Sequence, residues 1–306
     1  MKSFQEILNS ETLNISEIES YRLLQLQELR KRNIKGLTVW FVLTGITGAF
    51  SAVFYNGWFL VVGFVFGLIT FFVIRGSIRR KLYDTIKEKI IKKLIESISP
   101  DFEYFPKDHI SRETFKKSQF IKTYSYYKGE DLFTGIYNHI YVEYSELDIS
   151  QKNNKSTVTV FKGPFYAIQA KNSFEGRTTV VHDYAENLLG KFGRALQKMN
   201  FTRDPLIKID NEVFEKQFAV FSNNENEAKR VLSPALIDLL IRERNNAKQV
   251  YFGFSEDQIY FGIYNSKDLY KVNVKTEINE QSIRPYYNEL TQNLNLIEEL
   301  YVIVAK

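Results

Sequence analysis

The hydrophobic pattern divides this chain sharply. From Leu37 to Ile74 there is no charged side chain over 38 residues, and only Asn56-Gly57 interrupts the apolar run with a turn signal. A charge at the centre of a membrane helix costs roughly 2.5–3.5 kcal/mol, so the absence of charge is informative. As one helix the run would reach about 57 Å, nearly twice a hydrocarbon core of ~30 Å. Split at Asn56-Gly57, each arm holds roughly 19 residues and covers about 28 Å. The pattern therefore predicts a transmembrane helical hairpin over 37–74. The alternative, a buried hairpin in a soluble core, needs no basic flank at either end.

Such flanks are present. Arg30, Lys31, Arg32 and Lys35 precede the first arm, and Arg75, Arg79, Arg80 and Lys81 follow the second. Short basic flanks stay on the cytoplasmic side, which predicts two cytoplasmic termini with the Asn56-Gly57 tip outside. Trp40, Tyr55 and Trp58 lie near the arm ends, at the depth that amphipathic rings favour. Gly63 and Gly67 have the G-x-x-x-G spacing that lets helix backbones approach, as do Gly48 and Ala52 less strictly. Packing of one arm on the other is the first reading of that notch. A homo-oligomer through Gly63 and Gly67 is the sharper one.

Helical patterning continues on both sides of the run. Ser16-Glu17-Ile18-Glu19 has capping-box spacing, and Ile18, Leu23, Leu26 and Leu29 follow as a loose stripe. Beyond the second arm, Leu82, Ile86, Ile90, Leu94 and Ile98 recur at helical spacing among lysines. This basic amphipathic helix either lies on the inner leaflet or packs on the N-terminal helix. Ser99-Pro100-Asp101 ends it. The organisation expected is an N-terminal cytoplasmic helix over 1–36, the hairpin over 37–74, a juxtamembrane helix over 75–99 and a cytoplasmic domain over 100–306.

From Phe102 the texture turns to short β-type runs with helices between them. Strands are predicted at 140–144, 157–161, 165–170 with a Gly163-Pro164 turn, 178–181 and 218–221. Leu188, Leu189, Phe192, Leu196 and Met199 suggest a helix. Ser233 can cap another, with Pro234 at its first position. Runs 250–254 and 259–263 flank Ser255-Glu256-Asp257-Gln258 as a hairpin. A closing helix begins after Pro285, with 301–304 extended. The class is α+β with a mainly antiparallel sheet and flanking helices.

Composition refines this. Residues 75–98 carry eight Lys or Arg against three Asp or Glu, whereas the stretch from Ser99 onward carries 27 against 28. The net charge of +5 is thus largely juxtamembrane. Each such cation gains about 1 kcal/mol near an anionic leaflet, so membrane lipids account for the basic balance without nucleic acid. The chain has no cysteine, which excludes disulfides, thiolate metal sites and cysteine nucleophiles.

Gly129-Glu130-Asp131-Leu132 with Gly135 and Ser145-Glu146, then Phe161-Lys162-Gly163-Pro164-Phe165 and Phe174-Glu175-Gly176-Arg177-Thr178, resemble the bacterial DUF3137 family. So do the Asp210–Phe218 segment, Leu232-Ser233-Pro234-Ala235 and the 254–263 hairpin, over about residues 100–275. The resemblance implies a bacterial inner-membrane protein, a paired hydrophobic segment before a soluble domain, and a LemA-like membrane protein as partner. It brings no catalytic residue. Physically the glycines read as turn or positive-φ positions, and Phe161, Phe165, Phe174, Phe214 and Phe218 read as core.

Candidate chemistry is sparse. The three histidines, His109, His139 and His182, show no metal-ligand spacing, and no phosphate loop or nucleophile elbow occurs. No catalytic, cofactor or metal residue is assigned. Gly190-Lys191-Phe192-Gly193 has the form of a nucleic-acid backbone clamp, but its apolar stripe runs straight through it. Lys171, Arg177, Lys191, Arg194 and Lys198 form either a ligand face or an ordinary solvated one. The reading is a non-enzymatic adaptor or scaffold whose domain binds a protein partner or the membrane surface. An enzyme acting on lipid or envelope material, built on His182, Asp183, Arg177 and Glu130, is the alternative. Nucleic-acid binding and transport rank below both. A shallow polar surface would favour the adaptor, and a closed pocket with buried charges would favour catalysis.

Overall fold

The computed structural model describes residues 2–10, 13–53, 57–154, 156–182, 204–265 and 269–305. Tyr55, Asp183, Lys191, Arg194, Lys198 and the helix read over 188–199 lie outside these residues, as do the side chains of Arg75, Arg79 and Lys81. Two units emerge. The first holds residues 1–97 and 270–287, the second 98–269 and 288–306.

The first unit is helical: α1 (Phe4–Leu8), α2 (Ile15–Val53), α3 (Trp58–Ile98) and the 270–287 segment. The capping box lies earlier than the sequence suggested. Ser3 accepts from the Glu6 N–H, and the Glu6 carboxylate accepts from the Ser3 N–H at 2.6 Å. At the start of α2 the side chain of Asn14 accepts from the Glu17 N–H at 3.1 Å, because Ser16 already sits inside the first turn. Glu19 turns instead to Arg22, which is 5% exposed and also donates to the Val274 carbonyl at 3.1 Å. Glu19 further accepts from the Ile278 N–H at 2.9 Å.

Leu82, Ile86, Ile90 and Leu94 are buried, together with Ile91 and Ile95. Lys93 and Lys89 reach Glu17 of α2 at 3.4 and 4.0 Å. Of the two placements open for this helix, packing on the N-terminal helix is the one found. A stripe buried in protein cannot also lie in a leaflet.

Higher up, α2 and α3 run antiparallel. Gly36 faces Phe71, Trp40 faces Phe64 and Gly67, and Thr47 faces Gly63. A Cβ on Gly63 would fall 2.2 Å from Thr47 Oγ1, and one on Gly67 would fall 2.3 Å from Trp40 Cδ1. At Gly63 and Gly67 the small-residue face is met by Thr47 and Trp40 of the same chain. The expected pair of spans is not matched in full. Among the described residues one helix, Ile15–Val53, is long and apolar enough to cross a membrane. The apolar stretch of α3, Val61–Val73, covers only about 20 Å at ~1.5 Å per residue.

The second unit is built on a sheet in the order β1-β2-β3-β4-β9-β8-β5-β7-β6, with every pair antiparallel. Its strands are β1 (Phe102–Phe105), β2 (Tyr126–Tyr137), β3 (Ile140–Lys152), β4 (Thr157–Gln169), β5 (Arg177–His182), β6 (Leu206–Ile207), β7 (Phe218–Ser222), β8 (Gln249–Ser255) and β9 (Gln258–Tyr264). Short helices α4 (Arg112–Ser118), α5 (Glu212–Glu215) and α6 (Glu225–Val231) lie between strands. Helix α7 (Pro234–Asn246) is capped by Ser233, and α8 (Glu280–Val304) closes the chain.

Strand β4 fixes the layers, because side chains alternate between the two faces of a sheet. Phe165 meets Phe115 of α4 with ring centroids 5.0 Å apart, inside a cluster with Phe120, Phe161, Tyr251 and Tyr260. The next residue, Tyr166, points the other way and donates to Asn293 of α8 at 2.6 Å. Helix α7 lies on that second face too, since Arg242 holds Glu299 of α8 through two bonds of 2.9 and 2.8 Å.

Three local expectations need correction. Gly163-Pro164 is not a turn, and β4 runs through it. The Lys162 carbonyl accepts from the Asn265 N–H, so Pro164, two residues on, presents its missing N–H to that same side, ahead of the β9 ladder that begins at Phe165. Strand β2 was not predicted, since its run of polar and charged residues hides the period. Residues 301–304 are helical rather than extended: of their three β-branched residues, Val304 continues the buried stripe Leu290, Leu294, Ile297 and Leu300, while Val302 is exposed. Phe161, Phe165, Phe174, Phe214 and Phe218 are all buried, as expected.

Gly163 has φ +140°, and a Cβ there would lie 2.3 Å from the Ile263 carbonyl oxygen. Gly163→Ala should therefore destabilise the second unit by about 1–3 kcal/mol, read as a lower urea midpoint for the full chain in detergent.

Candidate partner-binding groove

The motif residues of β2 and β3 do converge. Glu130 pairs with Glu146 across the ladder, and the register then shifts between Glu130 and Phe133. In that bulge Asp131 adopts φ +60° and turns fully inward. Its carboxylate accepts from the Tyr104 hydroxyl at 2.6 Å, and its N–H reaches the Pro106 carbonyl. Ser145 accepts from the Ile110 N–H, and Glu146 accepts from the Leu269 N–H at 2.8 Å. Gly129 is needed for close approach, since a Cβ there would meet the Glu146 carbonyl oxygen at 2.5 Å. Carboxylate oxygens of Glu130, Asp131 and Glu146 lie within 4.8 Å of one another. These motif residues carry no metal-ligand spacing along the chain, because only the bulge brings Asp131 to its neighbours. Asp131 and Glu146 already accept bonds that hold β1 and the 269 segment in place, so these acids read first as fold devices.

The residues of the enzyme alternative do not assemble. Arg177 and His182 occupy opposite ends of β5, about 17 Å apart at ~3.3 Å per residue. Arg177 grips Asp204 through bonds of 2.6 and 2.8 Å, which hold the Asp204 carboxyl below the usual carboxylate range. His182 faces the Gln217 carbonyl at 2.9 Å and Arg244 at 3.3 Å. Glu130 sits in the β2 bulge, and Asp183 is outside the described residues. His109 Nδ1 lies 2.9 Å from the Ile110 carbonyl, and His139 is at a positive φ in the β2–β3 turn. Of the basic cluster, Lys171 is exposed and Arg177 is spent on Asp204. The flanking cations Arg30, Lys31, Arg32, Lys35 and Arg80 are exposed; Lys31 meets Glu28 at 3.1 Å. Trp58 is exposed at the start of α3, and Trp40 packs into the helix pair.

A concave site of another kind lies where α7, the end of β9 and α8 meet. It is a groove of about 780 Å³. Asn246, Asn265, Asn288, Gln292, Asn293 and Asn295 all line it. Asn293 is buried and bound to Tyr166, whereas Asn246, Asn288, Gln292 and Asn295 are exposed. The Arg242–Glu299 pair closes across the two helices, and Lys248 stands 5.9 Å from the Tyr264 ring. Scattered exposed amides carry no sequence signal, and only the α7–α8 contact gathers them.

Burial raises the hydroxyl of Tyr104 above its ordinary value, with the Asp131 charge adding to the effect. Burial raises Tyr127 and Tyr166 too and pushes Tyr260 up to about 12. Folded values above the unfolded one mean stability that is whole below pH ~10 and lost as pH rises beyond it. A denaturation series should show that alkaline loss together with delayed tyrosinate absorbance. Tyr104→Phe, which strips a buried carboxylate of its donor, should cost about 1–3 kcal/mol at neutral pH in the same assay.

Comparison with known proteins adds a family. No curated protein matches the chain. Among solved structures, that of the mycobacterial trehalose monomycolate transport factor A, TtfA, is similar at 10% identity and a TM-score of 0.37, covering 71% of this chain and 96% of that one. A likeness that distant says nothing of function. The family described as "Protein of unknown function (DUF3137)" matches residues 159–301. That range starts after the Glu130 and Glu146 motifs and ends beyond the 100–275 read from the sequence, and it takes in β4, β5, the β8–β9 hairpin and most of α8. Over these residues the chain matches the DUF3137 family model, which supports the resemblance read from its motifs.

Proposed function

We propose that this protein is a membrane-anchored, non-enzymatic adaptor whose second unit binds a protein partner. The observation that carries the proposal is the groove. It is open, polar and amide-rich, and among the described residues no converging acid, base and nucleophile accompany it. A LemA-like membrane protein as the partner rests on the family resemblance alone.

The anchor rests on exposure. None of the most apolar stretch of α2 is buried, and Phe41, Phe66 and Phe72 are each more than 60% exposed. Fully burying one such side chain is worth about 1.5–3 kcal/mol, so water is a poor solvent for this rod and lipid a good one. Because α3 returns along α2, the two arms share that environment. Both termini then lie on one side, with the basic flanks, and the tip near Gly57 lies on the other.

The absence of cysteine makes the topology directly testable. Single-cysteine variants Gly57→Cys and Ser3→Cys, assayed with an impermeant maleimide on intact spheroplasts, should label at position 57 and not at position 3. Labelling of both, or neither, removes the hairpin topology. Full-length chain extracted from native membranes should carry a partner in near-equal amount; repeated recovery of the chain alone removes the adaptor reading.

A further inference from the structure

Along α8, Asn288, Gln292, Asn295 and Glu299 recur at i, i+4, i+7 and i+11, so they form one row down the helix. The opposite stripe, Leu290, Leu294, Ile297 and Leu300, is buried. The row faces the groove, with Arg242 and Asn246 of α7 across from it. The amides of Asn288, Gln292 and Asn295 make no hydrogen bond among the described residues, and all three are exposed. A primary amide both donates and accepts, as a peptide group does. Neighbours in such a row stand about 5–6 Å apart. An extended chain repeats every two residues at roughly 6.6 Å. Over three side chains that mismatch is small enough for side-chain rotation to absorb.

We infer that this groove takes an extended polypeptide segment of the partner, held through its backbone by the Asn288–Gln292–Asn295 row. The inference rests on the adaptor reading and adds the mode of recognition. A helical ligand would need an apolar seat, and this lining is mainly amide and charged. Nucleic acid is disfavoured by charge: Glu243, Glu289 and Glu299 outnumber Arg242 and Lys248, and Arg242 is already paired. The same balance favours a neutral or basic segment. Arg242 and Glu299 fix the spacing of the two helices, so the row is held ready rather than formed on binding.

The test uses the full chain in nanodiscs and a displayed library of random peptides about twelve residues long. Selected peptides should be neutral or basic, and affinity should fall at least about tenfold in Asn288→Ala/Gln292→Ala/Asn295→Ala. These side chains are exposed and unbonded, so the melting temperature of the triple variant should match that of the parent. Backbone N-methylation of a selected peptide should weaken binding by a similar factor, which side-chain recognition would not do. Absence of any selected peptide, equal affinity of the triple variant, or indifference to N-methylation overturns the inference. So does capture of maltoheptaose in place of peptides, which would make the amides a saccharide site. If the triple variant still co-purifies the native partner in full, the groove assignment fails while the adaptor stands. If the intact chain co-purifies nothing, the adaptor itself falls.

Discussion

The second unit depends on a single constraint, the two-residue period of β4. Phe165 and Tyr166 are successive residues, so a sheet must send them to opposite faces. Both are completely buried, which forces a layer onto each side. Phe115 and Phe120 cover one face, and the closing helix covers the other through Asn293. A slip of one residue in this strand would exchange the two environments and leave the Tyr166 hydroxyl without its amide. The groove is a product of the same placement, because it is the space left between α7 and α8 once both are seated on the Tyr166 face.

The first unit follows a different rule. Its lower part is an ordinary aqueous bundle with a nearly dry ion pair, in which Arg22 satisfies Glu19 and the Val274 carbonyl together. Removing either partner would leave a buried charge uncompensated, a larger penalty than the pair's net worth. Its upper part inverts that logic, with large apolar side chains such as Phe41, Phe66 and Phe72 facing outward. The change happens along two continuous helices, α2 and α3. Glycines at 63 and 67 let Thr47 and Trp40 approach closely, which packs the two helices there.

Legibility in the sequence followed the range of the interactions. Ser233-Pro234 and the 250–263 hairpin were readable because caps and two-residue turns are decided by adjacent residues. Strand β5 was readable as a short β-branched run buried on both faces, and the stripe from Leu82 to Leu94 because burial imposes a period. Gly163-Pro164 misled because the decisive fact, Asn265 bonding to Lys162, lies a hundred residues away. Ser16 misled because Asn14 competes for the same role two residues earlier. The Asp131 bulge and the amide row were invisible for one reason: polar residues acquire meaning only when distant elements bring them together.

The division of the chain has a consequence for its biogenesis. Segment 270–287 belongs with the first 97 residues, although 172 residues of the other unit separate them. A ribosome completes the amino-terminal helices long before it makes Val274 and Ile278. Until then Arg22 and Glu19 lack two of their backbone partners, and the amino-terminal half is only provisionally assembled. Completion of this bundle therefore waits until the whole of the intervening unit has been made. A nascent chain arrested early would present an unfinished base, open to quality-control proteases.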